Sequence, residues 1–409
     1  MNKTDKQFKL SCDLFQLDYK NNKKLLYAPR LGYACVVNDE LINLLCNQDE
    51  QGNIIYKSNN FDVLQELEYR GVLNDNIERK VDYIIPKEYK PLNLTLFPTN
   101  QCNLACTYCY ASAGEAEPIH LSFEKAKTAI DFVFNNIIEA GHPEFELGFH
   151  GGGEPLLRWS FVKECVDYTK QKCKEKNIKL VVGAATNGIL SEEQLNYIFE
   201  NFSSLNISFD GDEISQNINR PFPNGQGSFD VVSNTIKKMG EANFPYGIRC
   251  TITAKNLDGF VDSMRFMVEN YQPFGIHLEP VRTIGRCTPD SGQVYNLGKF
   301  KDIFIDCEEI ANKHKINIIF SGCRMENLSG TFCGVSKDNL VLTHEGKITS
   351  CFEITSIHDP RSETFFVGEI DDNLNIKIFQ KNREYLHSLK VNNLKYCRDC
   401  FAKWHCAGD

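Results

Sequence analysis

From residue 94 to residue 280 the chain repeats one pattern six times: a short apolar run, a polar turn, then a longer segment of mixed polarity. The runs occupy 94–98, 145–150, 180–185, 205–210, 248–253 and 276–280. After the first run, Phe123, Ala126, Ile130, Val133, Phe134 and Ile137 recur with helical spacing behind Ser122, a residue suited to capping a helix. Ser191-Glu192-Glu193-Gln194 has capping-box spacing and opens another helix. Strands that alternate with helices pair in parallel, because a parallel neighbour is reached only through a crossover. The expectation is an α/β fold whose parallel sheet is open or partly closed into a barrel. Such sheets bind ligands at the carboxyl ends of their strands.

The flanks read differently. Two prolines and mixed charge mark 82–91 as a linker. Before it, 15–19 and 24–28 read as strands around a turn at Asn21-Asn22. Asn38 heads a capped helix, and a second helix begins at Phe61 and stops near Gly71. A hairpin with short helices is compatible with a winged-helix module over 1–85. The repeat region makes a core domain over 91–320. From 321 to 409 the sequence turns cysteine-rich, with a strand at 340–342, and reads as a separate domain.

Composition narrows the function classes. The net charge is -9 and no long Lys/Arg block occurs, which argues against nucleic acid as a partner. Asn22-Lys23-Lys24 reads as a solvated loop. The first six residues are polar with no apolar stretch behind them, and no window approaches the roughly 18 apolar residues of a membrane span. A soluble, cytoplasmic protein with no membrane partner is expected. Seventeen cysteines in a reducing cytosol point to metal or redox chemistry rather than disulfides. Cys12, Cys35, Cys46, Cys165, Cys173, Cys250 and Cys307 stand outside any cluster and read as small buried hydrophobes.

The chemistry concentrates directly after the first strand. Cys102, Cys106 and Cys109 follow CxxxCxxC spacing, and three thiolates on one short loop can hold three irons of a [4Fe–4S] cubane. The loop offers no fourth cysteine, so one iron stays open to a substrate. Zinc would want four ligands, usually from CxxC pairs. This loop, with Tyr108 before its third cysteine, Thr99-Asn100-Gln101 ahead of it and Tyr110 behind, resembles the signature of the radical SAM superfamily. The resemblance continues along the strand ends. Gly152-Gly153-Glu154-Pro155 resembles the glycine-rich motif that receives the amino group of S-adenosylmethionine (SAM), with Gly151 leaving the register open by one. Asn187, within Thr186-Asn187-Gly188, resembles a ribose-facing position. Ser208 and Arg220, with Asp210 between them, resemble the group that holds the SAM carboxylate. The resemblance implies a partial (β/α)6 radical SAM barrel. It implies that SAM chelates the open iron and is cleaved by one electron to a 5′-deoxyadenosyl radical, which takes a hydrogen atom from substrate. It also implies a low-potential electron donor such as flavodoxin or ferredoxin.

The last cysteines extend the resemblance. Cys397, Cys400 and Cys406 have CxxCxxxxxC spacing, and Cys333 and Cys351 flank a turn at His344-Glu345-Gly346-Lys347. This is similar to the SPASM or twitch-like extension of radical SAM peptide-modifying enzymes, which holds two auxiliary [4Fe–4S] clusters. By that analogy Cys333 and Cys351, joined by Cys323, serve the first cluster, with Cys287 a remote competitor. Cys397, Cys400 and Cys406 serve the second. The family pattern places a further cysteine where this sequence ends, so the chain reads as shortened at its C-terminus.

The N-terminal module resembles, in size and placement, a RiPP recognition element. That is a winged-helix fold that pairs the leader of a ribosomally made precursor peptide along an edge strand. Together these features imply a peptide maturase that installs a thioether or carbon–carbon crosslink. One rival is an enzyme of the anaerobic sulfatase-maturase type, which forms formylglycine. That family has an Asp after the cysteine corresponding to Cys351, whereas this chain has Phe352 and then Glu353. A rival of another class is a non-enzymatic iron–sulfur electron carrier, which would not need Gly153, Ser208 and Arg220. Glu279, Arg282 and Arg286 follow the last strand and are candidates to orient a peptide.

Overall fold

The computed structural model describes residues 6–10, 13–19, 23–74, 86–324 and 327–408. The chain forms two compact units. One gathers Met1–Ile84, Gly322–Phe332 and Leu389–Asp409, and the other Ile85–Ser321 with Cys333–Ser388. The stretch 321–409, expected as one domain, is therefore divided between them.

In the first unit, β1 (Phe15–Tyr19), β2 (Lys23–Ala28) and β3 (Tyr33–Val37) form an antiparallel sheet with β2 in the centre. The third strand was not foreseen, because Tyr33-Ala34-Cys35-Val36-Val37 shows no clean alternation of apolar and polar residues. Helix α1 (Asp39–Cys46) starts where Asn38 Oδ1 accepts the Leu41 amide at 3.0 Å. Helix α2 (Phe61–Tyr69) ends before Gly71, whose φ of +77° is the left-handed conformation that stops a helix cheaply only at glycine. Phe8, Leu26, Leu64, Val72 and Leu73 form the core beneath. In the same unit Trp404 packs on Val391, Cys397, Ala407 and Leu328. Its Nε1 donates to Asp13 at 3.0 Å.

The second unit is built on an eleven-stranded sheet. Its strands are β4 (Asn93–Leu96), β5 (Glu144–Phe149), β6 (Lys179–Thr186), β7 (Ser204–Ser208), β8 (Tyr246–Ile252), β9 (Gly275–Pro280), β10 (Asn317–Ile319), β11 (Leu340–Leu342), β12 (Lys347–Thr349), β13 (Phe366–Ile370) and β14 (Ile376–Ile378). They lie in the order β10-β9-β8-β7-β6-β5-β4-β11-β12-β13-β14. From β10 to β11 every pairing is parallel, and β11 to β14 are antiparallel. All six strands read from sequence are therefore neighbours in one α/β sheet. β10 and β14 end the order, so the sheet stays open. The short β10 was missed because three residues carry too little periodicity.

Helices α3 (Phe123–Ala140), α4 (Trp159–Glu175), α5 (Glu192–Asn201), α6 (Glu213–Asn219), α7 (Phe229–Glu241), α8 (Phe260–Asn270) and α9 (Leu297–Lys313) complete the repeats. Ser122 accepts the Lys125 amide at 3.3 Å, and Ser191 and Gln194 close the foreseen capping box. Leu94, Leu96, Phe145, Leu147, Val182, Leu205, Ile207, Ile248, Cys250 and Leu278 bury one face of the sheet, the apolar face that helices cover. The alternate residues, among them Thr95, Gly183, Ser208, Arg249 and His277, turn the other way and are less buried.

Part of the linker lies in 75–85, outside the described residues; the rest is ordered. Buried Arg383 donates to the carbonyls of Pro86, Lys87 and Glu88 and forms an ion pair with Asp338 at 2.6 Å. His387 also meets Asp338, at 2.9 Å. Among the described residues no helix is long and apolar enough to cross a membrane.

Of the isolated cysteines, Cys165, Cys173, Cys250 and Cys307 are buried as expected. Cys46 is exposed and Cys35 half-buried, because both sit on the small N-terminal module, whose thin core leaves much of its surface wet. Cys12 lies outside the described residues.

Candidate active site

The carboxyl ends of β4 to β8 converge on the loop that carries Cys102, Cys106 and Cys109. The loop has no regular structure, so its shape depends on bonds to its surroundings. The amide of Ala105 donates to Pro221 O at 2.8 Å, and that of Thr107 to Asn219 O at 2.9 Å. Arg286 holds the other side: its amide donates to Cys109 O at 3.0 Å and its guanidinium to Cys106 O at 3.1 Å and to Ala113 O. It also pairs with Glu115. Arg286, expected to orient a substrate, thus clamps the cysteine loop; its separation of 180 residues from Cys106 left no trace in local pattern. Glu279 is buried and accepts from Ser321 through both carboxylate oxygens.

The glycine motif packs edge-on against the start of the same loop. Gly153 N donates to Thr99 O, and Glu154 N to Gln101 O, both at 2.8 Å. A Cβ on Gly153 would lie 2.0 Å from Gln101 O, so only glycine permits this approach. Gly152 has φ +75°. Glu154 turns inward. Its carboxylate accepts from Asn187 N at 2.7 Å, Thr186 Oγ1 at 2.8 Å and Leu156 N at 3.1 Å, tying the glycine loop to the end of β6. Burial raises its pKa to about 7 against those bonds.

Asn187 bridges back to the cysteines. Its Nδ2 donates to Asn103 Oδ1 at 2.7 Å and to Cys102 Sγ at 3.7 Å. Leu104 N also donates to Cys102 Sγ, at 3.4 Å. Ser208 closes β7, half-buried. Asp210 is fully buried and gathers Arg220 Nη2 at 3.0 Å, Tyr108 OH at 2.5 Å and Thr251 N at 2.9 Å. The Arg220 guanidinium carbon lies 5.2 Å from the centre of the Tyr108 ring. Arg220 is 7% exposed, and its Nε is buried without a partner among the described residues.

These residues fit an iron–sulfur cubane with a chelating ligand. Burial, joined by the charge of Glu154, lifts the Cys102 thiol to about 12. Burial lifts Cys106 to about 11, against the pull of Arg220 and Arg286. Thiolates held in such a place need positive charge, which iron would supply. The N–H···S bonds to Cys102 are those that tune a metal-bound sulfur. Among the described residues no three His, Cys, Asp or Glu side chains close on a single metal ion. A cubane would spread its three thiolates over three irons. The buried, unpartnered Nε of Arg220 is a donor waiting for an acceptor.

The Radical SAM superfamily profile matches residues 96–267, from the end of β4 into α8. This chain carries a radical SAM domain. The sporulation killing factor maturation protein SkfB of Bacillus subtilis is 26% identical over 275 residues, 64% of this chain and 60% of that protein. A cysteine-type anaerobic sulfatase-maturating enzyme of Clostridium perfringens strain 13 is 23% identical over 336 residues, 77% of this chain and 86% of that protein. The solved structure of native anSMEcpe with bound AdoMet aligns with a TM-score of 0.62 at 18% identity, covering 78% of this chain and 89% of that one, and shares the fold. The chain spans only 53–60% of the length of several curated relatives that it matches.

Beyond the radical SAM domain the cysteines expected at auxiliary clusters fall into two sets. Cys351 follows β12 and lies within electrostatic reach of Cys333 in the sheet-bearing unit; burial lifts its thiol to about 11. Cys397, Cys400 and Cys406 belong to the other unit, as does Cys323. There Cys397 is buried and feels both Cys406 and Cys400. Arg324 and His405, the neighbours of Cys323 and Cys406, hydrogen-bond through the Arg324 carbonyl at 3.1 Å. Cys287 is buried beside Ser291, at 3.7 Å. The sequence also gave no notice of Arg249 and His277, which stand beside Ser208 on adjacent strands of the less buried sheet face. Only the strand register, Ser208 opposite Arg249 and Arg249 opposite His277, brings them together.

Proposed function

We propose that the chain reductively cleaves SAM at a [4Fe–4S] cluster held by Cys102, Cys106 and Cys109, and installs a thioether or carbon–carbon crosslink in a ribosomally made precursor peptide. The observation that carries this is the convergence on one loop of three thiols, the Gly153 edge, Asn187 and the Tyr108–Asp210–Arg220 group. The bound cluster and SAM would supply one electron and a 5′-deoxyadenosyl radical that abstracts hydrogen.

The chain's own residues do the rest. Gly153 lets backbone lie against Gln101, and the glycine edge so held is assigned the amino group of SAM. Arg220, oriented by Asp210, presents a fork suited to a carboxylate, with Ser208 at the adjoining strand end. Asn187 faces the same loop from the end of β6, and the ribose is assigned to it. Cys333 and Cys351, and separately Cys397, Cys400 and Cys406, are assigned to auxiliary clusters, with Cys323 as a further ligand. The three-stranded sheet at the N-terminus exposes β1 as an edge that can take up a leader by strand addition. The electron is assigned to a flavodoxin or ferredoxin.

The likeness to the sulfatase-maturating enzyme over 77% of this chain supports a second reading, oxidation of a Cys or Ser to formylglycine. Against it, the Glu353 carboxylate is engaged by Arg361 at 3.2 Å and is poorly placed as a free base. Mass spectrometry of a co-encoded peptide, treated anaerobically with enzyme, SAM and reductant, separates the two. Crosslinking removes two hydrogens and leaves no group that reacts with a hydrazide probe; formylglycine reacts.

A further inference from the structure

We propose that Arg249 is the anchor for a carboxylate of the peptide substrate, either an Asp or Glu side chain or a C-terminal carboxylate. The inference rests on the peptide-modifying function proposed above. It starts from register. Ser208, Arg249 and His277 are direct partners across β7, β8 and β9, so their side chains share one face of the sheet. The flanking Ile248 and Cys250 are buried on the other face. The Arg249 guanidinium therefore points away from the helices, on the side where Ser208 ends its strand.

Three of the groups within reach of its charge are neutral at ordinary pH. The charge of Arg249 is felt by Tyr110, His150 and His277. Both histidines are held neutral at ordinary pH, their pKa values pushed down to about 4 by burial and then by Arg249 itself. His150 buries an Nδ1 that has no partner among the described residues. The nearby acids are engaged elsewhere: Asp210 by Arg220 and Tyr108, Glu279 by Ser321, Glu353 by Arg361. Among the described residues no carboxylate pairs with Arg249, which is exposed. A guanidinium paired with no acid among the described residues, with His277 opposite it in register and a phenol and a second neutral imidazole within its electrostatic reach, matches one carboxylate taken bidentately. A phosphate dianion would call for more cations than this face holds. Tyr110 directly follows Cys109, which sets the anchor beside the loop where SAM would react.

The test uses the anaerobically reconstituted full chain with SAM and three pentapeptide probes. These are N-acetyl-Gly-Gly-Asp-Gly-Gly amide, the same peptide with Asn for Asp, and N-acetyl-pentaglycine with a free C-terminus. Binding is read by calorimetry, and 5′-deoxyadenosine formed without peptide is read in parallel. At least one acid-bearing probe should bind about tenfold or more tightly than the Asn peptide. Which one does so tells a side chain from a C-terminus. Arg249→Met should erase the difference, Arg249→Lys should restore part of it, and both should keep peptide-free 5′-deoxyadenosine formation within about twofold. Equal binding of all probes by the wild type, or a difference that survives in Arg249→Met, overturns the anchor. Loss of SAM binding in both variants also overturns it and assigns the guanidinium to SAM. Absence of 5′-deoxyadenosine from the wild type would refute the function itself, a failure distinct from that of the anchor.

Discussion

Asp210→Asn is the sharpest perturbation of the site, because it changes one charge and almost no volume. Asp210 is wholly buried and compensates Arg220, itself only 7% exposed. It accepts from Arg220 at 3.0 Å, Tyr108 at 2.5 Å and Thr251 N at 2.9 Å. Asn can keep the last bond but leaves a buried guanidinium without its counter-ion. Breaking a buried ion pair from one side costs about 3–5 kcal/mol, since the partner's charge stays desolvated. The apo protein with reduced thiols should therefore lose about 3 kcal/mol or more in urea unfolding followed by circular dichroism. Removing the partner as well should return much of that. Asp210→Asn with Arg220→Met should cost less than the sum of the single variants by about 2 kcal/mol. A loss below about 1 kcal/mol in Asp210→Asn, or strict additivity in the double variant, would refute the claim that these two residues form one buried unit.

Other perturbations probe the frame around the loop. Arg286→Met removes the side-chain bonds to Cys106 O and Ala113 O and should lower iron and sulfide retained after anaerobic reconstitution by at least half, with Arg286→Lys intermediate, measured by colorimetric iron assay. Gly153→Ala forces a Cβ to within 2.0 Å of a backbone oxygen and should cost about 3 kcal/mol or displace the cysteine loop, seen as a lower urea midpoint with poor cluster retention. His150 is half-buried and neutral, with its pKa down from 6.5 to about 4. Between those values the unfolded chain binds the proton and the folded chain does not, so stability falls as pH drops from 6.5 to 4, by about 3 kcal/mol at most. His150→Gln should flatten that part of a stability-against-pH curve.

The repeat region was legible because its strands are long enough for an apolar run to register and its helices carry caps in sequence, as at Ser122 and Ser191. Cysteine spacing exposed the loop for the same reason: the whole motif is local. What stayed hidden depends on distance along the chain. Arg286 reaches the cysteine loop from far downstream, Glu154 spends its carboxylate on the end of β6, and Arg249 acquires meaning only through its neighbours in register. Residues 322–332 and 389–409 join the N-terminal residues in one unit, although the cysteines had suggested a single C-terminal domain. Cysteine density reports chemistry, whereas unit membership is decided by packing such as that of Leu328 and Trp404.

The central claim is that Cys102, Cys106 and Cys109 hold a cluster with one iron open to SAM. Electron paramagnetic resonance of the anaerobically reconstituted, dithionite-reduced chain, recorded with and without SAM, addresses it directly. A variant with Cys333, Cys351, Cys397, Cys400 and Cys406 replaced by Ala isolates the first cluster. The account predicts a [4Fe–4S]⁺ signal in that variant whose g-values shift when SAM is added, and its loss when Cys102, Cys106 and Cys109 become Ala. A signal indifferent to SAM, or one that persists without those three cysteines, would contradict it.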